Sequence, residues 1–422
     1  MSDFRQPKSP GRALILHMEL DSRACYRALS TRDPRFDGRF FTGVRTTGVY
    51  CRPVCPARTP RPENVRFFPC AAAAEAAGFR ACRRCRPETS PGTPAWLGTS
   101  ATVSRALRLI SQGEIDARGI EGLAGSLGIG ARHLRRLFRE ELGASPVEIA
   151  QVRRLHFARR LLAETALPVT RIASSSGFRS IRRFNEAFKD RFGQSPAALR
   201  RLAVPRPDAA GFVELRLAYR PPYDWPGLLD FLGRRAIPGV EEVSGGVYRR
   251  LHPEGSGVRR IEVRHRPRER GLLLRVSPPD GDLLGVAERV RRLFDCDADP
   301  LAVARALEKD ERLAPLVRKR RGLRVPGAFD GFESAVRAIL GQQVSVEAAN
   351  TLAGRLVRRF GAAAPEPEGG LTHVFPAPAA LAGADLRQIG IPGARAEALR
   401  ALARAVAAGE IDFRTRARLE ET

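Results

Sequence analysis

Four cysteines carry the clearest chemistry in this sequence. Cys51 and Cys55 lie in Val49-Tyr50-Cys51-Arg52-Pro53-Val54-Cys55-Pro56, Cys82 and Cys85 lie in Ala81-Cys82-Arg83-Arg84-Cys85-Arg86-Pro87, and a 26-residue loop separates the two pairs. Two close thiol pairs closing one loop are the spacing of a four-thiolate Zn²⁺ site. Spacing alone favours a closed, purely structural site, because such sites keep no open coordination position. Arginines flank both pairs: Arg45, Arg52 and Arg58 on one side, Arg80, Arg83, Arg84 and Arg86 on the other. A metal-held thiolate beside a basic surface suits an anionic electrophile, and DNA phosphate is the simplest one. The remaining cysteines, Cys25, Cys70 and Cys296, read as small buried residues.

The elements around these thiols are short. Residues 21–90 form a stretch rich in Gly, Pro and Arg, too small to depend on a large apolar core, so the metal is expected to supply folding free energy. Residues 1–20 read as a leader. Ser90-Pro91-Gly92-Thr93-Pro94 reads as a linker, and so does Val204-Pro205-Arg206-Pro207-Asp208-Ala209-Ala210.

Residues 101–203 are helical in pattern and contain a repeat. Leu123-Ala124, Gly128, Leu134, Phe138, Gly143 and Ser145-Pro146 recur as Ile172-Ala173, Gly177, Phe184, Phe188, Gly193 and Ser195-Pro196, at an offset of 49 and then 50 residues. Each copy reads as helix, glycine turn and basic amphipathic helix, the layout of a helix-turn-helix whose second helix enters the major groove. The first reading helix spans about 131–142 and offers Arg132, His133, Arg135, Arg136 and Arg139. The second spans about 180–191, with Arg179, Arg182, Arg183 and Asn185. A single copy would be read as a solvated helix face, whereas two at matched spacing favour DNA. Pro146 to Ala163 forms the helix between them.

The whole chain has 72 Lys+Arg against 46 Asp+Glu, a formal charge of +26 over 422 residues. Residues 1–200 hold 35 basic and 17 acidic residues, so +18 of that excess falls in the first half, which favours a polyanionic partner. Lysine occurs only at 8, 189, 309 and 319, so nearly all the positive charge is arginine and part of it reflects a compositional bias. No apolar run approaches the roughly 20 residues of a membrane span, and the N-terminus lacks a signal-peptide core. Thiols poised for metal fit a reducing cytoplasm, so a cytoplasmic, nucleoid-associated protein without a membrane partner is expected.

Beyond residue 211 the texture changes. Phe212–Leu217, Arg259–Val263 and Gly271–Val276 alternate apolar and polar as half-buried strands do, giving an α+β segment over 211–300. From 301 to 422 the chain reads as helical. The expected fold is therefore multidomain: a small zinc-bound α/β unit, an all-α double helix-turn-helix, then an α+β unit leading into an all-α domain.

Three family resemblances refine these expectations. Thr46-Thr47-Gly48-Val49-Tyr50-Cys51-Arg52-Pro53-Val54-Cys55, Arg61-Pro62-Glu63-Asn64-Val65, Ala77-Gly78-Phe79-Arg80 and Cys82-Arg83-Arg84-Cys85 closely resemble the N-terminal domain of Ada-type alkylation sensors. The resemblance implies that Cys51 accepts a methyl group from a methylphosphotriester in double-stranded DNA, stoichiometrically, with Thr47 and Arg58 near the transferred group. Zn²⁺ with four thiolates carries −2, and a methyl on Cys51 leaves −1, a change worth about 1–4 kcal/mol at a nearby phosphate. Gly177-Phe178, Phe184, Ala187-Phe188, Phe192-Gly193 and Ser195-Pro196 resemble the AraC family of transcription regulators, which implies promoter binding and contact with RNA polymerase.

Pro221-Pro222-Tyr223-Asp224-Trp225, Arg291-Arg292-Leu293-Phe294-Asp295, Phe332–Val346 and Arg395–Leu399 resemble AlkA-type 3-methyladenine DNA glycosylases. There the turn holding Gln342 and Gln343 would meet DNA, with Gln343 wedged where a base flips out; a polar interhelical turn is the plainer reading. The catalytic hairpin of that family, with its Trp-Thr-Ala element, and the Asp that follows are not found by Thr422, so the glycosylase region is expected to be incomplete; Asp385 and Asp412 do not match that Asp. Base repair by direct methyl transfer is not expected, because no Pro-Cys-His-Arg motif is present. The leading expectation is a DNA alkylation regulator joined to a glycosylase-type region. The alternative is a transcription regulator with a structural zinc site and a non-catalytic DNA-binding half.

Overall fold

The computed structural model describes residues 22–87, 90, 101–202, 211–255 and 257–413. The leader, most of the first linker and the 204–210 link lie outside the described residues.

The first unit begins with α1 (Ser22–Ser30) and builds a four-stranded sheet from β1 (Phe41–Val44), β2 (Val49–Cys51), β3 (Val65–Phe68) and β4 (Arg80–Ala81), in the order β3-β1-β2-β4. A tight hairpin places Val44 opposite Val49, and Gly48 turns it at φ 63°. β1 has no room for a side chain at Gly43, where a Cβ would come within 2.8–2.9 Å of the rings of Phe68 and Phe79. Helix α2 (Ala71–Ala76) covers this sheet, and its apolar core is small: Phe41, Tyr50, Phe68, Ala73 and Ala74, with a satellite of Cys25, Ala28 and Phe40. The small apolar core is the part of the expectation that the structure shows.

Helices α3 (Ala101–Ser111), α4 (Glu114–Gly125), α5 (Ala131–Leu142), α6 (Pro146–Glu164), α7 (Val169–Ser175), α8 (Ile181–Phe192) and α9 (Pro196–Leu202) follow. The sequence repeat is a geometric repeat. α5 and α8 are each 12 residues long, and each ends on a left-handed glycine, Gly143 at φ 69° and Gly193 at φ 68°. Those glycine N–H groups return to the carbonyls of Arg139 and Lys189. Leu134/Phe138 in one copy and Phe184/Phe188 in the other are fully buried. Ser145 starts α6 with a complete capping box to Glu148, with Pro146 in the first turn. The copies are not identical: α4 is broken at Gly119 (φ 69°, ψ −171°), and Gly130 begins α5 without a side-chain cap where Ser180 caps α8.

The second half opens with an antiparallel sheet of β5 (Val213–Ala218), β6 (Glu241–Ser244), β7 (Val247–Glu254), β8 (Gly257–Arg266) and β9 (Gly271–Ser277), ordered β5-β9-β8-β7-β6. Helices α10 (Trp225–Gly233) and α11 (Leu283–Leu293) pack on it. β6 and β7 were not visible in the alternation because buried polar groups interrupt it. Arg250 and Glu241 are both buried there and pair with each other, with Glu333 and with Tyr248. Helices α12 (Pro300–Leu307), α13 (Ala314–Lys319), α14 (Gly331–Leu340), α15 (Val346–Phe360), α16 (Pro378–Ala382) and α17 (Gly393–Ala407) complete the chain, with a two-stranded ribbon of β10 (Ala363–Glu368) and β11 (Leu371–His373) between α15 and α16. The ribbon interrupts what the sequence suggested was wholly helical.

The first helix-turn-helix has its own core, which also takes in Ala72 of the sheet unit. The second shares one continuous core with the five-stranded sheet: Leu155, Leu161, Ile172, Phe184 and Phe188 belong to the same cluster as Val213, Leu215, Ile261 and Leu274. Truncating a buried Phe costs about 3–5 kcal/mol. Phe188→Ala is therefore expected to lower the calorimetric transition of the five-stranded sheet together with its own helices, whereas Phe138→Ala leaves that transition in place.

Candidate metal centre and nucleic-acid surfaces

The four predicted thiols come together. Strand pairing does most of this work: β2 lies antiparallel to β1 and parallel to β4, so Cys51 at the end of β2 meets the turn that follows β4. The Arg80 N–H bonds to the Gly48 carbonyl at 2.8 Å and the Cys82 N–H to the Tyr50 carbonyl at 3.0 Å. The sulfurs of Cys51, Cys55, Cys82 and Cys85 all lie within 4.8 Å of one another, and the four residues are only 5–9% exposed. Without a cation four thiols at this separation cannot ionise together. Hydrogen bonding from Cys55 pushes Cys51 well up, and the other three thiols push Cys85 well up. Hydrogen bonding with Cys51 brings Cys55 down to about 7 and holds Cys82 far below the usual thiol range. A divalent cation removes the conflict by favouring all four thiolates. Four buried sulfurs within 4.8 Å of one another fit Zn²⁺.

The sulfurs are not equivalent. The Arg52 N–H points at the Cys85 sulfur at 3.3 Å, the Ala57 backbone bonds to Cys55 and the Cys85 backbone to Cys82. Backbone donors withdraw electron density from a thiolate, so the sulfurs of Cys55, Cys82 and Cys85 are each tempered by a main-chain N–H. Exposure does not separate the four.

The arginine collar divides into two groups. Arg45, Arg58, Arg80, Arg83 and Arg84 are exposed, as is Thr47 at the hairpin tip beside Gly48. Arg52 instead ties the site together, bonding through Nε to Asp37 at 2.8 Å and through its guanidinium to the Cys85 carbonyl at 3.2 Å. Arg86 pairs with Glu164 of α6 at 3.1 Å. The sequence suggested a uniform basic collar; two of its members bind protein.

The candidate DNA-reading side chains are all exposed, on helix faces except Arg179, which lies in the turn just before α8. On α5 these are Arg132, His133, Arg135, Arg136 and Arg139; at α8 they are Arg179, Arg182, Arg183 and Asn185. Arg136 pairs with Glu140 and Arg182 with Glu186 one turn away, at 3.2 and 3.0 Å. Exposed pairs of this kind are worth less than about 1 kcal/mol and can give way to phosphate. In the last domain Gln342 and Gln343 sit in the exposed turn between α14 and α15. Gln343 is left-handed at φ 56°, unusual for a residue with a side chain, and the turn is held by Arg395, which bonds to the Gln342 carbonyl at 2.7 Å.

Sequence reasoning missed a buried polar group behind the metal centre. Glu75, on α2, accepts the Tyr50 hydroxyl at 2.7 Å and bonds to His156 Nε2 of α6 at 3.0 Å. The Arg191 guanidinium of α8 lies 3.0 Å from its other oxygen. Burial alone would push this carboxyl up, but His156, Arg191 and Tyr50 outweigh it and hold it below the usual range. The one signal available was a lone acid in an alanine run, Ala71-Ala72-Ala73-Ala74-Glu75.

Comparison with known proteins agrees with this architecture. Four family descriptions match: the metal binding domain of Ada over residues 24–88, a helix-turn-helix domain over 123–202, the AlkA N-terminal domain over 214–330 and the HhH-GPD superfamily of base excision DNA repair proteins over 336–421. A probable bifunctional transcriptional activator/DNA repair enzyme AlkA of Mycobacterium tuberculosis is 44% identical over 396 residues, 92% of this chain and 79% of that one. The bifunctional activator/repair enzyme Ada of Escherichia coli is 37% identical over 36% of this chain and 41% of its own length. DNA-3-methyladenine glycosylase 2 of Escherichia coli is 37% identical over 46% of this chain and 68% of its own.

A sulfur-clustered metal module, a double helix-turn-helix and a glycosylase-type half define a zinc-dependent, DNA-directed regulator with a repair domain. More narrowly, the chain belongs to the family of bifunctional transcriptional activator/DNA repair enzymes that combine Ada-type and AlkA-type parts. No helix among the described residues is long and apolar enough to cross a membrane.

The metal assignment has a direct consequence. The purified chain is expected to hold one Zn²⁺. Removing it with a thiol-reactive mercurial and chelator, or by Cys55→Ser, should release the metal and abolish the thermal transition of residues 22–87, read by metal-binding dye and near-ultraviolet circular dichroism.

Proposed function

We propose that this chain senses alkylated DNA by moving a methyl group irreversibly from a methylphosphotriester of duplex DNA to Cys51, and that the methylated form binds promoters and activates transcription with RNA polymerase. The observation that carries the reading is the four-thiol cluster that holds Cys51, flanked by the exposed Arg45, Arg58, Arg80, Arg83 and Arg84, with main-chain N–H donors on the sulfurs of Cys55, Cys82 and Cys85. In the transfer, the Cys51 sulfur attacks the methyl carbon, an S–C bond forms, and the C–O bond breaks with its electron pair left on the phosphate oxygen. The products are a thioether and an ordinary phosphodiester anion. Bound Zn²⁺ would keep the sulfur ionised at neutral pH. Arg58 and Thr47 would hold the phosphate beside the sulfur, and a thioether does not return the methyl, so each chain acts once.

Methylation also changes charge. The metal centre passes from −2 to −1, which weakens its repulsion of the DNA backbone by about 1–4 kcal/mol, roughly tenfold or more in affinity. The two reading helices then supply sequence contacts through Arg132, His133, Arg135, Arg136, Arg179, Arg182 and Arg183. Removing one arginine that neutralises a phosphate is expected to reduce the slope of log affinity against log salt by about 0.9.

The second half fits a glycosylase-type DNA module, with Gln343 held in a strained exposed turn as the residue that fills the gap left by a flipped base. We propose 3-methyladenine as the base class that it handles.

Three measurements test the reading. After incubation with methylated duplex DNA, mass spectrometry of peptides should place a single methyl on Cys51, and Cys51→Ser should take up none. A chain whose four thiols stay unmodified while DNA binding persists would instead be a regulator with a structural zinc site. Binding to duplexes containing an unpaired or abasic position should weaken severalfold in Gln343→Gly, with little change on intact duplex.

A further inference from the structure

Glu75 is buried between three elements that perform different tasks in the proposed function. Tyr50, which donates to it at 2.7 Å, immediately precedes Cys51 on β2, and its carbonyl holds Cys82 in place. His156, at 3.0 Å, lies on the long connecting helix α6, and Arg191, at 3.0 Å, lies near the end of the second reading helix α8. His156 also lies 3.3 Å from the Tyr50 hydroxyl and against the ring of Phe192, so the contacts close on themselves. Side-chain exposure is 2% for Glu75 and 9% for His156.

The same helix is fixed to the first helix-turn-helix by different means. Ala72 enters the core built by α3 to α6, and the Cys70 sulfur bonds to the Leu142 carbonyl at 3.5 Å at the end of α5. Helix α2 is therefore fastened to both reading units, to one by apolar packing and a thiol hydrogen bond at its start and to the other by a buried charge network. Removing one member of such a network leaves its partners buried and uncompensated, so it behaves as a latch with one preferred geometry.

We propose, resting on the functional reading above, that Glu75 is a positioning residue that fixes the distance along DNA between the backbone phosphate met at the metal centre and the bases met by α8. A metal module on a loose tether would reach phosphates at a range of offsets, because a flexible connection sets only an effective concentration. A latched module meets one. The benefit of methylating Cys51 is then confined to operators in which both contacts fall on the same face of the duplex at a fixed spacing, and Glu75 acts as a determinant of operator specificity.

The test uses the zinc-loaded full chain and a duplex selected from a random-sequence pool by the Cys51-methylated protein. Footprinting locates the two contacts, and one, two or five base pairs are then inserted between them. In the wild type, the roughly tenfold methylation-dependent gain should disappear at one or two inserted pairs. In Glu75→Gln and Arg191→Met it should survive these insertions, with the backbone footprint following the inserted length, while Arg191→Lys should behave as wild type. Zinc content and methyl uptake on Cys51 should be unchanged in all three, a check that each folds; should one of Glu75→Gln and Arg191→Met fail that check, the other decides. A wild-type gain indifferent to insertion, or folded variants as sensitive to insertion as the wild type, would overturn the assignment. Absence of any gain on methylation in the wild type would overturn the functional reading beneath it.

Discussion

The mutual constraint among four sulfurs governs the first part of this protein. They lie too close to ionise together in the absence of a cation, yet β2 and β4 deliver them to one point through ordinary backbone pairing. A divalent metal turns this unfavourable cluster into the strongest cross-link of a unit whose apolar core is little more than Phe41, Tyr50, Phe68 and two alanines. The same interaction that holds the fold also prepares the chemistry, because a sulfur kept ionised for structural reasons is a nucleophile. Backbone donors reach the sulfurs of Cys55, Cys82 and Cys85. Structure and reactivity are thus set by one electrostatic arrangement.

Behind the metal centre, the chain carries two helix-turn-helix units with the same local grammar and different surroundings. Both end their reading helix on a left-handed glycine, and both bury two large apolar side chains at matched positions. One copy closes its own core, whereas the other opens onto a sheet and completes it. The polar contacts follow this division, with Glu75 reaching Arg191 in the second copy and apolar Ala72 reaching the first.

Much of this was legible in the amino-acid order, for identifiable reasons. The cysteine pairs, the glycine caps and the Ser-Pro helix starts are local signals in which the residue type directly fixes the geometry. The Gln342-Gln343 turn could be placed between two helices, but its left-handed strain could not be foreseen from residues that are not glycine. What stayed hidden depends on partners distant in the chain. Glu75 finds His156 eighty-one residues away, and Arg250 finds Glu333 eighty-three residues away. Such buried ions break the alternation by which strands are recognised, so β6 and β7 escaped notice. Arg52 and Arg86 looked like DNA-facing charges because composition cannot tell a solvated arginine from one committed to Asp37 or Glu164.

The shared interior of the second helix-turn-helix and the five-stranded sheet bears on how this protein can be divided. A cut between residues 202 and 211 looks natural on paper, since it falls between two family matches. It would strip Leu161, Ile172 and Phe188 from Val213, Leu215 and Leu274 and leave both fragments with a raw oily face. The second helix-turn-helix and the five-stranded sheet are not separable modules: each is part of the solvent-excluding wall of the other.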